Sequence, residues 1–260
     1  MCTGERFIAF IDILGFKNIV KNFNGNLDNL GNELFTLFQS SIKSSLDGKS
    51  VYIEDKHNLN LDDDIKVYQF SDSIVLYTEN ASEEALKKII LVLNRLLAQS
   101  ILRGFPLRGT LTKGEIYVNP PIVVGQSFID AYEMECMQEW SGVIVENCCF
   151  DLYKELSEEL ISNKRIVKYL VPMKAKMKCR EGDVRNNIKH EEYIVINWPQ
   201  FVGRKMESID DLKSRFSNYT NEPIGEKNIN KKEQTFKFVH DNIGFKEILP
   251  DFIFPIEKIE

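Results

Sequence analysis

Two aspartates occupy positions where a carboxylate is costly unless it has work to do. Asp12 interrupts the apolar run FIDILGF, and Asp72 sits between two β-rich runs in QFSDSIVLY. An acid inside an apolar strand must be paired or must bind a cation. Two such carboxylates on neighbouring strands would suit Mg²⁺, which takes hard oxygen ligands together with substrate phosphates. The competing reading makes Asp72 a turn residue and Asp12 a helix cap. Directly after Asp12, the segment Ile13, Leu14, Gly15 and Phe16 lies where a strand hands over to a helix. Backbone N–H groups at such a junction favour phosphate, and glycine permits close approach. Farther on, Arg108 opens RGTLTKG. Arginine suits multidentate phosphate contact, although a solvated strand-end charge explains many single arginines.

The elements that must position these residues follow from periodicity. Arg6 to Leu14 reads as a buried strand. Helical spacing follows over Phe16 to Phe23 and Leu27 to Leu46. Gly48 to Asp64 is polar and acidic and reads as a surface loop or short edge hairpin. Ile65 to Phe70 and Ser73 to Thr78 form a hairpin with Asp72 in its turn. Ser82 to Gly104 is an amphipathic helix that starts at Ser82-Glu83-Glu84 and stops at Gly104 and Pro106. Leu107 to Thr112 and Glu115 to Val118 read as two strands around Lys113-Gly114. A helix runs from Gly125 to about Trp140, then a strand Gly142 to Val145, a helix Asn147 to Ser162 and a strand from Arg165 to Val171. Lys174 to about His190 reads as a charged loop and Glu191 to Trp198 as one more strand. Ser208 to Phe216 and Lys231 to Ile243 have helical patterns. The order predicts an α+β fold, helices on a mixed sheet. The expected division is a domain over 1–178 and a C-terminal α/β extension over 179–260 packing on it.

Composition narrows the function classes. Of 260 residues, 43% are hydrophobic and 28% charged, which supports a sizeable core. The net charge of −6 and a pI near 5.4 argue against phosphate-backbone neutralisation on DNA or RNA as the main task. No apolar stretch is long enough for a bilayer, and no targeting segment is expected. The cysteines Cys2, Cys136, Cys148, Cys149 and Cys179 contain no CxxC pair and fit a reducing, cytoplasmic setting. Cys148–Cys149 reads as core and near-core packing. His57, His190 and His240 lack ligand spacing, Trp140 and Trp198 read as packing anchors, and Asp62-Asp63-Asp64 reads as a solvated loop.

Taken in order, the motifs resemble the class III nucleotidyl cyclases. FIDILGF is similar to their F-x-D-I-x-G-F, and QFSDSIVLY to their second metal-binding hairpin. LRGTLTKGEIYV resembles L-R-x-G-I-x-x-G, with Thr110 at the first glycine and Leu111 at the isoleucine. GQSFIDAYEMECM resembles the G-x-x-V-N-x-A-A-R-L-E helix. The resemblance covers roughly residues 5–146 and implies a ferredoxin-like βααββαβ core. It also implies that Asp12, Asp72 and the Ile13 carbonyl hold two divalent ions, Mn²⁺ or Mg²⁺. Arg108 and the amides of Ile13 to Phe16 would then steady the triphosphate and departing pyrophosphate.

The departures matter as much. Tyr68 stands where purine cyclases carry a base-reading lysine, and Ile122 where they carry a second base-reading acid. Ile129 and Glu133 replace the asparagine and arginine that steady the transition state; a shift of one would put Asp130 at the asparagine. This pattern looks like the pyrimidine cyclases of the bacterial Pycsar anti-phage system. That likeness implies a cytoplasmic homodimer with active sites at its interface, converting UTP, or CTP, to cyclic UMP or cyclic CMP. The product would activate a separate effector, with no nucleic acid and no membrane as partner. The alternatives are a catalytically degenerate nucleotide-binding or dimerisation module of the same fold, a divergent purine cyclase, and an unrelated α+β scaffold with coincidental motifs.

Overall fold

The structure is a computed structural model that describes residues 2–23, 26–43, 59–61, 65–119, 122–174, 188–202, 208–217 and 226–242. Its centre is the strand β1 (Cys2–Ile13), flanked on both sides by antiparallel partners: β4 (Ser73–Thr78) and β5 (Leu107–Asn119). A strand paired on both edges and covered on both faces must be apolar nearly throughout, which is why RFIAFIDIL reads as a continuous run. Alternation then sorts its side chains. Phe7, Ala9, Ile11 and Ile13 enter the main core, whereas Ile8 joins a smaller cluster with Tyr77, Ile116 and Val118.

The main core lies beneath α1 (Phe16–Asn22), α2 (Leu27–Lys43) and α3 (Glu83–Leu102). The start of α3 follows from its sequence. Ser82 Oγ accepts from the Ala85 amide at 3.2 Å, and Glu83 and Glu84 occupy the first turn, where the positive end of the helix dipole favours them. On the sheet's other side, α4 (Gln126–Met137) sets Phe128 and Tyr132 edge-on against Phe10, with ring centroids 5.6 and 5.3 Å away. The order β1, α1, α2, β3 (Ile65–Phe70), β4, α3, β5 gives the expected βααββαβ core in an α+β fold.

Further strands extend the sheet in both directions. It runs β2 (Leu59–Leu61), β3, β4, β1, β5, β7 (Val143–Val145), β9 (Ile188–Ile196), β8 (Ile166–Lys174), with β6 (Ile122–Val124) pairing the far end of β5. β5 and β7 are parallel, so the sheet is mixed. One expectation changes here. Lys113-Gly114 does not divide two strands: β5 is continuous, because Gly114 pairs with Arg6 and Lys113 with Phe7 along the full length of β1. The division expected between 178 and 179 falls between β8 and β9. These two strands pair with each other, and β9 also pairs with β7, so residues 188–196 complete the common sheet.

The remaining helical elements are a 3-10 turn at Asn147–Phe150, α5 (Lys154–Ser162), α6 (Pro199–Val202), α7 (Ile209–Ser217) and α8 (Glu226–Asn242). α8 belongs to the fold through Phe238. Its ring meets Trp140 and Tyr169 edge-on, each at 4.8 Å, and lies 6.1 Å from Trp198. Both tryptophans are fully buried, as packing anchors must be. Asp62-Asp63-Asp64, His57 and Cys179 lie outside the described residues. No helix among the described residues is long and apolar enough to cross a membrane.

Candidate active site

Strand register brings the first two candidates together. Asp12 is the penultimate residue of β1 and pairs with Ser73 on one side and Arg108 on the other. Ser73 follows Asp72, which closes the two-residue turn between β3 and β4. Ser71 in that turn adopts φ +57°, the left-handed conformation that matches a twisted hairpin. The Ile13 amide donates to the Asp72 carbonyl at 2.9 Å, joining the end of β1 to the hairpin tip. Asp12 and Asp72, remote in sequence, therefore meet at one end of the sheet.

The electrostatics there are those of crowded acids. Burial and the nearby Glu135 carboxylate push the Asp12 carboxyl up to about 6, against the opposing pull of Arg108, and Asp72 adds further like charge. Glu135 lies on α4, almost fully buried, and receives the Arg108 Nε–H. Arg108 Nη1 donates to the Gln138 carbonyl at 2.7 Å, and its Nη2 lies 3.9 Å from Asp12 Oδ2. Arg108 is itself 7% exposed. Its guanidinium is thus committed to Glu135 and Gln138 beneath Asp12. With Nε and Nη1 taken, contact with a pyrophosphate, the task expected of it, falls to Nη2, which makes no hydrogen bond among the described residues.

The turn after Asp12 is likewise partly used. The Ile13 amide goes to Asp72, and the Leu14 amide donates to the Pro106 carbonyl at 2.9 Å. Neither is left for phosphate. Gly15, at φ +76°, caps α1, and its carbonyl accepts from Asn18 and Ile19. The amides left to face an anion are those of Gly15 and Phe16. Gly109, next to Arg108, is held to glycine by crowding: a Cβ there would sit 2.4 Å from the Phe10 carbonyl oxygen.

The base-contact candidates are less closely grouped. Tyr68 pairs with Val75, which pairs with Phe10, and its ring stacks on Tyr77 at 5.9 Å and 8°. Ile122 is 52% exposed on β6, opposite Asn119. At about 3.3 Å per residue, the strand from Arg108 to Asn119 is about 36 Å long, so Ile122 is at the opposite end of the sheet from Asp12. Asp130 is exposed on α4 and accepts from Gln126 Nε2 at 2.8 Å. Ile129, at the expected asparagine position, is 47% exposed.

Two charged residues escaped the sequence reading. Glu135 follows Ser127 and Ala131 on the buried stripe of α4, so helical period carried a signal for it. Lys231 of α8 lies within electrostatic reach of Asp12, Arg108 and Glu135, and no pattern in the sequence indicates that.

The donors fit a hard divalent ion, since two carboxylates and a backbone carbonyl offer only oxygen. Among the described residues no three His, Cys, Asp or Glu side chains are grouped to hold a metal. A cation here would therefore complete its shell from backbone, water and substrate phosphate, as Mg²⁺ commonly does.

No protein-family model and no curated protein matches the chain. Solved structures do. One is the catalytic core of a rhodopsin-guanylyl cyclase with converted specificity in complex with ATPalphaS, at 15% identity and TM-score 0.45 over 75% of this chain and 97% of that one. Another is the monomeric guanylyl cyclase domain of the RhoGC fusion protein from the aquatic fungus Blastocladiella emersonii, at 13% identity and TM-score 0.43, covering 75% of this chain and 96% of that one. A third is an adenylate/guanylate cyclase/hydrolase from Silicibacter pomeroyi, at 11% identity and TM-score 0.44, covering 75% and 98%.

Proposed function

We propose that the protein is a nucleotidyl cyclase that converts a pyrimidine nucleoside triphosphate, UTP or CTP, into its 3′,5′-cyclic monophosphate and pyrophosphate. The observation that carries this reading is the junction of Asp12 with the Asp72 turn through the Ile13 amide. Two divalent ions, Mn²⁺ or Mg²⁺, would when bound polarise the α-phosphorus and lower the pKa of the ribose 3′-hydroxyl. Asp12, Asp72 and the Ile13 carbonyl are the groups that would hold them. The Gly15 and Phe16 amides orient the triphosphate, and Arg108, seated on Glu135, offers its Nη2 to the departing pyrophosphate. Tyr68 narrows the base pocket against a purine.

Ile122 supports a homodimeric arrangement. It is too far from Asp12 to share a substrate within one chain, so a second copy would bring a base-contact end to each metal end. The cyclic product would serve as a second messenger in anti-phage defence, acting on a separate effector.

Incubation of the purified protein with ATP, GTP, CTP and UTP plus Mn²⁺, with mass identification of products, tests the reading. Cyclic UMP or cyclic CMP from the native protein, absent with Asp12→Ala and Asp72→Ala, is the expected result. Cyclic AMP or cyclic GMP as the main product would replace the pyrimidine assignment. A second reading, a nucleotide-binding module without turnover, is favoured by the exposed Ile129 at the transition-state position. Triphosphate binding without any cyclic product would establish it.

A further inference from the structure

α8 brings to the candidate site a lysine that forms no ion pair among the described residues. Thr235 Oγ1 accepts from the Ser141 amide at 2.8 Å and donates to the Lys231 carbonyl at 2.7 Å. Ser141 Oγ in turn donates to the carbonyl of Leu107, the neighbour of Arg108. With Phe238 locked against Trp140 and Tyr169, this face of α8 is fixed on the segment that follows α4. Lys231 lies one turn before Thr235 on that face.

Its surroundings are charged on every side. Arg108, Glu135, Glu139 and Lys174 act on its ammonium, and Lys231 acts on Asp12. Lys174 is partnered by Glu139 at 3.5 Å, and Glu135 by Arg108. Lys231 is half-buried, yet among the described residues its ammonium makes no ion pair and no hydrogen bond. Burial, aided by Arg108 and Lys174, holds its pKa below the usual lysine value. The nearby carboxylates are each committed to another cation, so this partly dehydrated ammonium lacks a paired counter-ion, a state relieved by a ligand anion.

We infer that Lys231 is a substrate-binding residue: the C-terminal helix α8 supplies, beside Asp12, the cation that receives the polyphosphate of the nucleotide. The inference rests on the cyclase reading for the identity of the ligand and on α8 for its position. It gives the C-terminal segment a place in the site.

The test uses the full chain, native and as Lys231→Met, Lys231→Arg and Lys232→Met. Methionine keeps the aliphatic stem, and Lys232, also half-buried, is the control. Each protein is titrated calorimetrically with magnesium tripolyphosphate, melted thermally, and assayed for cyclic products. Lys231→Met is expected to weaken binding about tenfold or more, the loss of one charge-assisted contact. Lys231→Arg and Lys232→Met should remain within about threefold of native. The methionine variant should melt no lower than native, since an unpaired charge has been removed. Native-like binding by Lys231→Met, no binding by the native protein, or a lowered melting temperature with unchanged affinity would each overturn the inference. A binding defect in Lys231→Met combined with no cyclic product from the native protein would leave it standing and strike the cyclase reading alone.

Discussion

The Ile13 amide donates to the Asp72 carbonyl at 2.9 Å, and that bond sets the end of β1 against the turn between β3 and β4. It makes the Asp12 carboxylate and the Asp72 turn parts of one rigid corner, held by ladders on both sides of β1. A carboxylate buried at this corner beside Glu135 is costly without a cation, and burial is the larger part of that cost at Asp12.

Replacing Asp12 by asparagine should therefore abolish cyclisation and stabilise the fold. Burial and Glu135 raise the folded Asp12 pKa from 3.8 to about 6. The folded chain then holds the proton more tightly than the unfolded chain, so stability falls as pH rises through that window. Above it, ionised Asp12 costs on the order of 1 kcal/mol once solvent screening at a partly open carboxylate is allowed for. Melting curves at about pH 5 and about pH 7.5 check this, with a larger gain for Asp12→Asn expected at the higher pH. An equal gain at both would remove the titration argument. Because a cation needs the ionised carboxylate, the Mn²⁺ concentration for half-maximal turnover of the native protein should rise as pH falls below about 6.

How much of this was legible in the sequence follows from the range of each interaction. The hairpin Ile65–Phe70 and Ser73–Thr78 appears with the bounds read from it, because its turn chemistry is local. Lys113-Gly114 carries equally local turn residues, yet pairing with β1 keeps them extended, and no local pattern reports a partner strand a hundred residues away. Insertion of β9 between β7 and β8 is hidden for the same reason. In the site, the apolar runs disclosed Asp12 because a charge interrupts them. Glu135 was obscured by the surrounding acids, and no local pattern reports that Arg108 pairs with it. Lys231 was invisible, since only the packing of Phe238 decides which face of α8 meets the site.

Glu135→Gln should destabilise the protein by about 3 kcal/mol, because it breaks the buried pair with Arg108 and leaves only Asp12, 3.9 Å away, as counter-charge. The double variant Glu135→Gln with Arg108→Met removes both charges and should recover most of that loss. Denaturant midpoints of the two variants measure it. A double variant no more stable than the single one would mean that Arg108 is held chiefly by Gln138.

Phe238→Ala tests whether α8 is part of the cooperative fold. Its ring is fully buried among Trp140, Tyr169 and Trp198. Truncation of such a ring costs about 3–5 kcal/mol, or a fall of on the order of 10 °C in melting temperature for a chain of this size. A single transition shifted downward is expected. An unshifted main transition would mean that α8 unfolds separately and contributes little to the sheet.

The two adjacent cysteines should differ sharply in reactivity. Cys148 is half-buried, its sulfur 3.3 Å from Thr112 Oγ1, whereas Cys149 is fully buried in the main core. Hydrogen bonding from Cys149, with help from Thr112, lowers the Cys148 thiol from 9.0 to about 6. Burial pushes Cys149 upward. The thiolate is the nucleophile, so lowering the pKa makes Cys148 reactive at neutral pH. Iodoacetamide labelling followed by peptide mass mapping should modify Cys148 with a half-maximal rate near pH 6 and leave Cys149 untouched in the folded protein. Thr112→Val removes one donor to the thiolate and should move that midpoint to higher pH, while a midpoint that stays in place would assign the shift to Cys149 and the Lys113 amide.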